Sequence, residues 1–304
     1  MDNTFRPAGV SYPVEATPQA FPWLNVVLFG LTCITTTIVG TALMAGFTNS
    51  VDGTASDFFA SILHSPARLL SGLPFSIAIM TILMAHEMGH YLTCRYYGID
   101  ASLPYFIPWI TGTMGAFIRI RSPIPDRKSL LEVGIAGPIA GFVVAIPACI
   151  IALLNSTFIV PPEHYWGFGD PLIFKLLAAL IHRTPPAGMD FNLHPIGYAA
   201  WFGFFATALN LLPVGQLDGG HVTYALLGRQ HRRISQAIII VLIPFGIFYW
   251  QGWLVWTTVL LFLGVRHPMT LDDTQPLHRR HTWLGWIGLA MFILCFMPMP
   301  FYIV

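Results

Sequence analysis

Residues 69–91 read LLSGLPFSIAIMTILMAHEMGHY. The run is long enough to cross the hydrocarbon core of a bilayer, which takes about 20 apolar residues. It nevertheless ends in His86, Glu87 and His90. Ionisable side chains are costly at that depth and normally face a cavity or a partner. Residues four apart share one face of a helix, so His86 and His90 can grip a single divalent ion. Glu87 stands next to that ion's ligands, where a carboxylate can take a proton from water. One stretch therefore predicts both a membrane helix and hydrolytic metal chemistry.

The whole chain fits a membrane solvent. It has 304 residues, 55% hydrophobic and 10% charged, with mean hydropathy +0.66, whereas soluble domains carry about 25% charged residues. The net charge of +1 gives no reason to expect nucleic acid. Cys33, Cys94, Cys149 and Cys295 show no paired spacing, so neither a thiolate metal site nor a disulfide framework is expected.

Apolar runs predict spans at Phe21–Phe47, Leu69–Tyr91, Leu130–Leu154, Ile196–Leu212, Ile234–Trp250 and Trp283–Ile303, with Gly252–Val265 as a short further candidate. The predicted fold is an all-α polytopic membrane protein of about six or seven transmembrane helices. Leu103–Arg121 is apolar but too rich in Pro and Gly for a spanning helix. Its centre, Thr111–Gly115, reads as a turn, and the following AFIRIR alternates like a strand. We read it as a small membrane-dipping β-hairpin. Pro171–His182 reads as an amphipathic piece in a loop.

With seven spans, twelve of the fifteen Lys and Arg residues fall on the side of the N-terminus, which places that side in the cytoplasm. Residues 1–20, polar and without the order of a cleaved signal peptide, then form a cytoplasmic tail. Residues 21–304 form one domain, with its core at 69–228. The spans ending near His90 and Leu212 run the same way, so their ends lie at similar depth.

A catalytic zinc site usually has three protein ligands and one open position. The missing ligand is sought in 210–221, NLLPVGQLDGGH. Asp218 is the best candidate, since Gly219 and Gly220 allow close backbone approach. His221 is a rival three residues on. Asn210 either hydrogen-bonds the substrate or an oxyanion, or caps carbonyls freed by Pro213. Residues 136–141, AGPIAG, read as a small-residue packing face. His278–His281 reads as a solvated, headgroup-facing run, and Trp23, Trp250, Trp253 and Trp283 as aromatic belts.

These motifs resemble those of the site-2 protease family of intramembrane zinc metalloproteases. HEMGH matches its HExxH, and NLLPVGQLDGG its NxxPxxxxDG. The likeness covers roughly Ile77 to Arg280. GTMGAFIRIRSPIPDRKSLLEVGIAGPIAGF and TALNLLPVGQLDGGH are most similar to the plant and bacterial branch of gravitropism-deficient, ethylene-dependent proteases. The resemblance implies one Zn²⁺ per chain held by His86, His90 and Asp218. It makes Glu87 the general base and gives Asn210 and the hairpin a part in clamping an unwound substrate strand. It also implies a multi-pass protein of the cell (inner) membrane in a bacterium, with transmembrane proteins as substrates and the lipid bilayer as surroundings. The alternative is a transporter or scaffold with a structural metal site, which predicts polar residues on several spans. Outside the two motifs the spans carry almost none.

Overall fold

The structure is a computed structural model describing residues 21–49, 55–162 and 165–303. The tail expected over 1–20 lies outside the described residues. In chain order the elements are α1 (Trp23–Phe47), α2 (Ala55–His64), a 3₁₀ turn at Pro66–Gly72, and α3 (Leu73–Tyr96). There follow β1 (Tyr105–Trp109), β2 (Gly112–Phe117), α4 (Arg127–Asn155), β3 (Thr157–Ile159), β4 (Trp166–Phe168) and α5 (Leu172–Leu180). The chain continues with β5 (Asp190–Asn192), α6 (Pro195–Asn210), α7 (Asp218–Leu227), α8 (His231–Phe248), α9 (Gly252–Leu263), α10 (Arg279–Cys295) and β6 (Phe301–Ile303).

Among the described residues, four helical stretches are long and apolar enough to cross a membrane: Trp23–Phe47, Pro66–Tyr96, Arg127–Asn155 and Asp218–Phe248. The fourth differs from expectation. The polar segment after Pro213 was expected to separate two spans. It is instead helical from Asp218 and runs through a 3₁₀ turn into α8. Helices rise about 1.5 Å per residue, so α9, with 12 residues, reaches about 18 Å, short of the ~30 Å core. α6 and α10, with 16 and 17 residues, are also shorter than a full straight crossing. Side chains such as Phe262 and Ile110, 88% and 86% exposed, suit a lipid surface better than water.

α4 is the central element. Its start is fixed by a capping box: the Ser129 N–H donates to Asp126 Oδ1 at 2.7 Å, and the Asp126 N–H donates to Ser129 Oγ at 3.3 Å. Pro138 and Pro147 lie within it, tolerable because neighbouring helices satisfy freed backbone groups in a membrane. α3, α6 and α7 all pack on α4. Ile82, Cys149, Phe174, Ala200 and Phe204 join α3, α4, α5 and α6 in one buried cluster. Cys149 thus serves as a small apolar residue, and all four cysteines are free.

β1 and β2 pair antiparallel, with Tyr105 opposite Phe117 and Trp109 opposite Gly112. The reversal therefore lies at Ile110–Thr111, earlier than the expected Thr111–Gly115 centre. The strand also stops at Phe117 rather than continuing through Arg121. Pro108 has no N–H to give to the ladder, the register shifts between Phe106 and Pro108, and Gly115 sits at φ +106°. Beyond Phe117 the pairing continues only irregularly, through the Ser102 N–H to Arg119 O and the Arg121 N–H to Asp100 O. α1 backs the pair: Thr35 Oγ1 donates to Gly112 O at 2.6 Å.

Two surface expectations fail. Trp253 is 1% exposed and its indole donates to Pro298 O at 2.8 Å, so it is core, not belt. His281 is buried rather than solvated, with Nε2 3.4 Å from Glu132 Oε1.

Candidate metal centre

α3 carries His86, Glu87 and His90, all buried. α7 begins at Asp218, and Asp218 Oδ2 lies 3.2 Å from His86 Nε2 and 3.3 Å from His90 Nε2. The two Nε2 atoms are 3.2 Å apart. Segments 128 positions apart in the chain thus place three donor atoms in a near-equilateral triangle. Zinc bonds of 2.0–2.1 Å at tetrahedral angles set ligand atoms ~3.3 Å apart. The triangle has the dimensions such an ion requires, with one face left for a fourth ligand. Among the described residues these three form the group able to hold a metal ion.

Donor chemistry points the same way. His90 Nδ1 is 2.8 Å from Val133 O. A carbonyl only accepts, so Nδ1 carries a hydrogen, and in the neutral ring Nε2 presents its lone pair to the triangle. The Asn210 amide nitrogen lies 3.3 Å from His86 Nε2 and, as the only donor of that pair, requires a lone pair there as well. Two ring nitrogens and a carboxylate oxygen facing one another across ~3 Å call for positive charge between them, which a divalent cation held by all three supplies.

The glycines of α4 make this possible. A Cβ at Gly137 would lie 2.1 Å from His90 Nε2, and one at Gly141 would lie 3.1 Å from His86 Cβ. At Gly134 it would lie 2.7 Å from His221 Cβ and 3.3 Å from Asp218 O. The small-residue stretch is a packing face, and what packs on it is the donor triangle together with His221. A Cβ at Gly219 would come within 2.0 Å of Leu211 O, so only glycine lets α7 begin directly beneath the turn after α6.

Glu87 and His86 line a cavity of about 560 Å³. Its walls are α3 (Phe75, Ile79, Leu83), the inner edge of the β1–β2 pair (Thr113 to Ala116), α6 (Phe202, Phe205, Leu209, Asn210) and the corner between α8 and α9 (Trp250, Val255, Trp256). The backbone N–H of Ile118 lies by the Glu87 carboxylate. Among the described residues the Asn210 side chain hydrogen-bonds to His86 rather than to the carbonyls around Pro213. His221 is not in the triangle; its Nδ1 is 2.6 Å from His267 Nε2. Sequence reasoning missed the Val133 carbonyl, a backbone atom without a residue signature, and His267, a lone loop histidine.

The chain is similar along most of its length to plant chloroplast proteins. It is 28% identical to "Probable zinc metalloprotease EGY2, chloroplastic" of Arabidopsis thaliana over 97% of this chain and 53% of that protein. It is 29% identical to the protein of that name in Oryza sativa subsp. indica over 81% of this chain and 46% of that protein. To "Probable zinc metalloprotease EGY1, chloroplastic" of Arabidopsis thaliana it is 33% identical over 52% of this chain and 30% of that protein. The chain spans about half the length, or less, of these curated relatives. Residues 74–250, which hold the whole of the donor triangle, match the sequence model of peptidase family M50, and the chain belongs to that family.

Proposed function

We propose that this chain is an intramembrane zinc metalloendopeptidase, with one Zn²⁺ held by His86, His90 and Asp218, that hydrolyses peptide bonds of membrane-spanning proteins near the cytoplasmic boundary. The observation that carries the proposal is the meeting of a tetrahedral-sized donor triangle with Glu87 on the wall of a largely apolar cavity. Zn²⁺ bound there supplies a Lewis acid and lowers the pKa of water to about 7. Glu87 takes the proton from water and passes it to the leaving amine. His86 Nε2 has one lone pair, which serves either Asn210 or a metal. In the loaded site the Asn210 amide is therefore free to donate to the substrate carbonyl.

A helical substrate hides its carbonyls in i to i−4 bonds, so it must be cut as an extended strand. The edge of β2 along the cavity gives that strand backbone partners, in the manner of β-augmentation. This gives the hairpin its place in the membrane, with β2 paired on one side by β1 and on the other by substrate. The basic loops and N-terminal tail lie in the cytoplasm, residues 21–304 work as one metalloprotease domain around the core 69–228, and the short helices α6, α9 and α10 complete its walls. The plant relatives carry chloroplast names; a bacterial member of this arrangement resides in the inner membrane.

Glu87→Gln keeps the shape and removes the base. Purified variant and wild type should hold equal zinc, while cleavage of a membrane-spanning reporter falls at least ~10²-fold. Undiminished cleavage by the variant refutes the reading. Proline substitutions through Ala116–Ile120 should each impair cleavage; a scan without effect removes the strand-addition step.

A further inference from the structure

The segment after α9 folds back across the start of α4 and the outer side of α7. The Leu271 and Asp272 N–H groups donate to Ile124 O and Pro125 O at 3.1 and 2.8 Å. Tyr224 of α7 donates to Asp273 Oδ2 at 2.6 Å, and Thr270 donates to Asp273 Oδ1 at 2.6 Å. This anchoring holds His267 in one place. Its ring stacks on Tyr224, with centroids 4.6 Å apart and planes at 17°.

Its hydrogens are fixed as well. His267 Nδ1 is 2.6 Å from Pro268 O, and a carbonyl only accepts, so Nδ1 carries the hydrogen. Burial holds His267 below the usual imidazole pKa against the opposing pull of Asp273 and the Pro268 carbonyl; in the neutral ring, with its hydrogen on Nδ1, Nε2 is a lone pair. The partner of that lone pair, 2.6 Å away, is His221 Nδ1, which must therefore be the donor. The His221 Nε2 is left with a lone pair and no hydrogen-bond partner among the described residues, and it is not sealed off as the partnerless Trp256 and His281 nitrogens are. His221 packs over Gly134, beside the backbone of Asp218. The arrangement repeats that of His90, whose Nδ1–H is committed to Val133 O while Nε2 faces the ion site.

We propose that His221 is a fixed hydrogen-bond acceptor at the edge of the metal centre, serving an N–H donor of the substrate strand or its released amine, and that His267 is the positioning residue that fixes it. The proposal rests on the zinc-protease reading for its substrate but not for its tautomer. Without the His267 lone pair, His221 has no reason to keep its hydrogen on Nδ1, and the acceptor is lost for part of the time.

The test compares wild type, His267→Ala and His267→Gln, all purified in detergent from the same zinc-supplemented medium. Gln keeps an amide oxygen able to accept from the His221 Nδ1–H; Ala does not. Nitrogen NMR on ¹⁵N-histidine protein should show a bare Nε2 and a protonated Nδ1 for His221 in wild type and the Gln variant, and a mixed signal in the Ala variant. With a transmembrane reporter, His267→Ala should lower kcat ~10–100-fold, the range of residues that orient site groups. KM and zinc content should hold, and Gln should restore most of the rate. Equal loss in Ala and Gln, loss of zinc in Ala, or no change in the His221 signal overturns the proposal. If wild type and Glu87→Gln cleave the reporter equally, the protease reading fails, while the NMR comparison still decides the tautomer.

Discussion

A single methyl group on Gly137 tests the proposed metal centre without replacing any of its three donor residues. The Cβ of an alanine there would lie 2.1, 2.4 and 2.5 Å from His90 Nε2, Cδ2 and Cε1, where ordinary contacts are ~3.5–4.0 Å. α4 cannot simply retreat, because Val133 on the same helix holds His90 Nδ1 at 2.8 Å and Gly89 of α3 is pressed against Ala136 O. The ring must therefore shift by about 1 Å or more, while coordination distances tolerate only ~0.2 Å. A misplacement of that size costs ~10²-fold in rate, and here it would also displace one of the three proposed ligands. Gly137→Ala should therefore purify folded with sub-stoichiometric zinc and lose cleavage by at least ~10²-fold. Gly141→Ala is the control: its Cβ lies 3.1 Å from His86 Cβ and Nδ1, so a few tenths of an ångström suffice and the loss should stay below ~10-fold. The assay is metal analysis of the detergent-purified variants alongside cleavage of a transmembrane reporter, with elution volume as the folding check. Full zinc and wild-type cleavage in Gly137→Ala, or equal damage from both variants, refutes the reasoning.

Three further outcomes follow from the same geometry. Asn210→Leu should keep zinc and lose ~10²-fold or more in kcat, the cost of one donor to a developing oxyanion; a change in KM alone would assign Asn210 to binding instead. Asp126→Ala removes the α4 capping box and should lower stability by about 1 kcal/mol, read as a lower unfolding temperature with zinc-dependent cleavage intact in what remains folded. Burial would raise the Asp273 pKa, but hydrogen bonds from Thr270 and Tyr224 outweigh it and hold it below its usual value. Its contribution is therefore complete above the ordinary carboxylate pKa of about 3.9 and fades as pH falls through the lower folded value. Hydrogen exchange in 268–274 should accelerate only in that acid range, and the dependence should vanish in Asp273→Asn.

The sequence made the ligand chemistry legible because it rests on side chains at helical spacing. Two histidines four apart in an apolar run need an electrostatic reason, and a carboxylate followed by two glycines can approach a neighbouring element closely. The span pattern was less legible. Hydropathy reports burial in lipid or protein alike, so it could not tell the 12 residues of α9 from a crossing helix. Nor did it reveal that α7 and α8 join, since the turn at Gly228–Gln230 is polar and reads as a loop. Trp253 and His281 were misplaced for a related reason: composition shows what a side chain tolerates, and only packing shows what covers it. The Val133 carbonyl carries no sequence signal, because every residue has one.

The donor triangle is built through α4 rather than between the elements that bear its donor atoms. α3 and α7 meet little directly, but each packs closely on α4. Gly134, Gly137 and Gly141 fall three and four residues apart, one face of a helix, and that face takes Asp218 and His221, then His90, then His86. Val133 adds a carbonyl that sets the His90 tautomer. The separation of His86 from Asp218 is thus inherited from two helix–helix contacts, each held by a glycine that admits no side chain. In a bilayer, where lipid is as apolar as the helix surfaces, close packing replaces the hydrophobic effect as the force between helices. A segment that looks like generic helix packing is in this protein what sets the donor triangle to the dimensions of an ion. A small-residue face in the membrane, when it lies opposite a buried histidine pair, is therefore part of the metal site's specification.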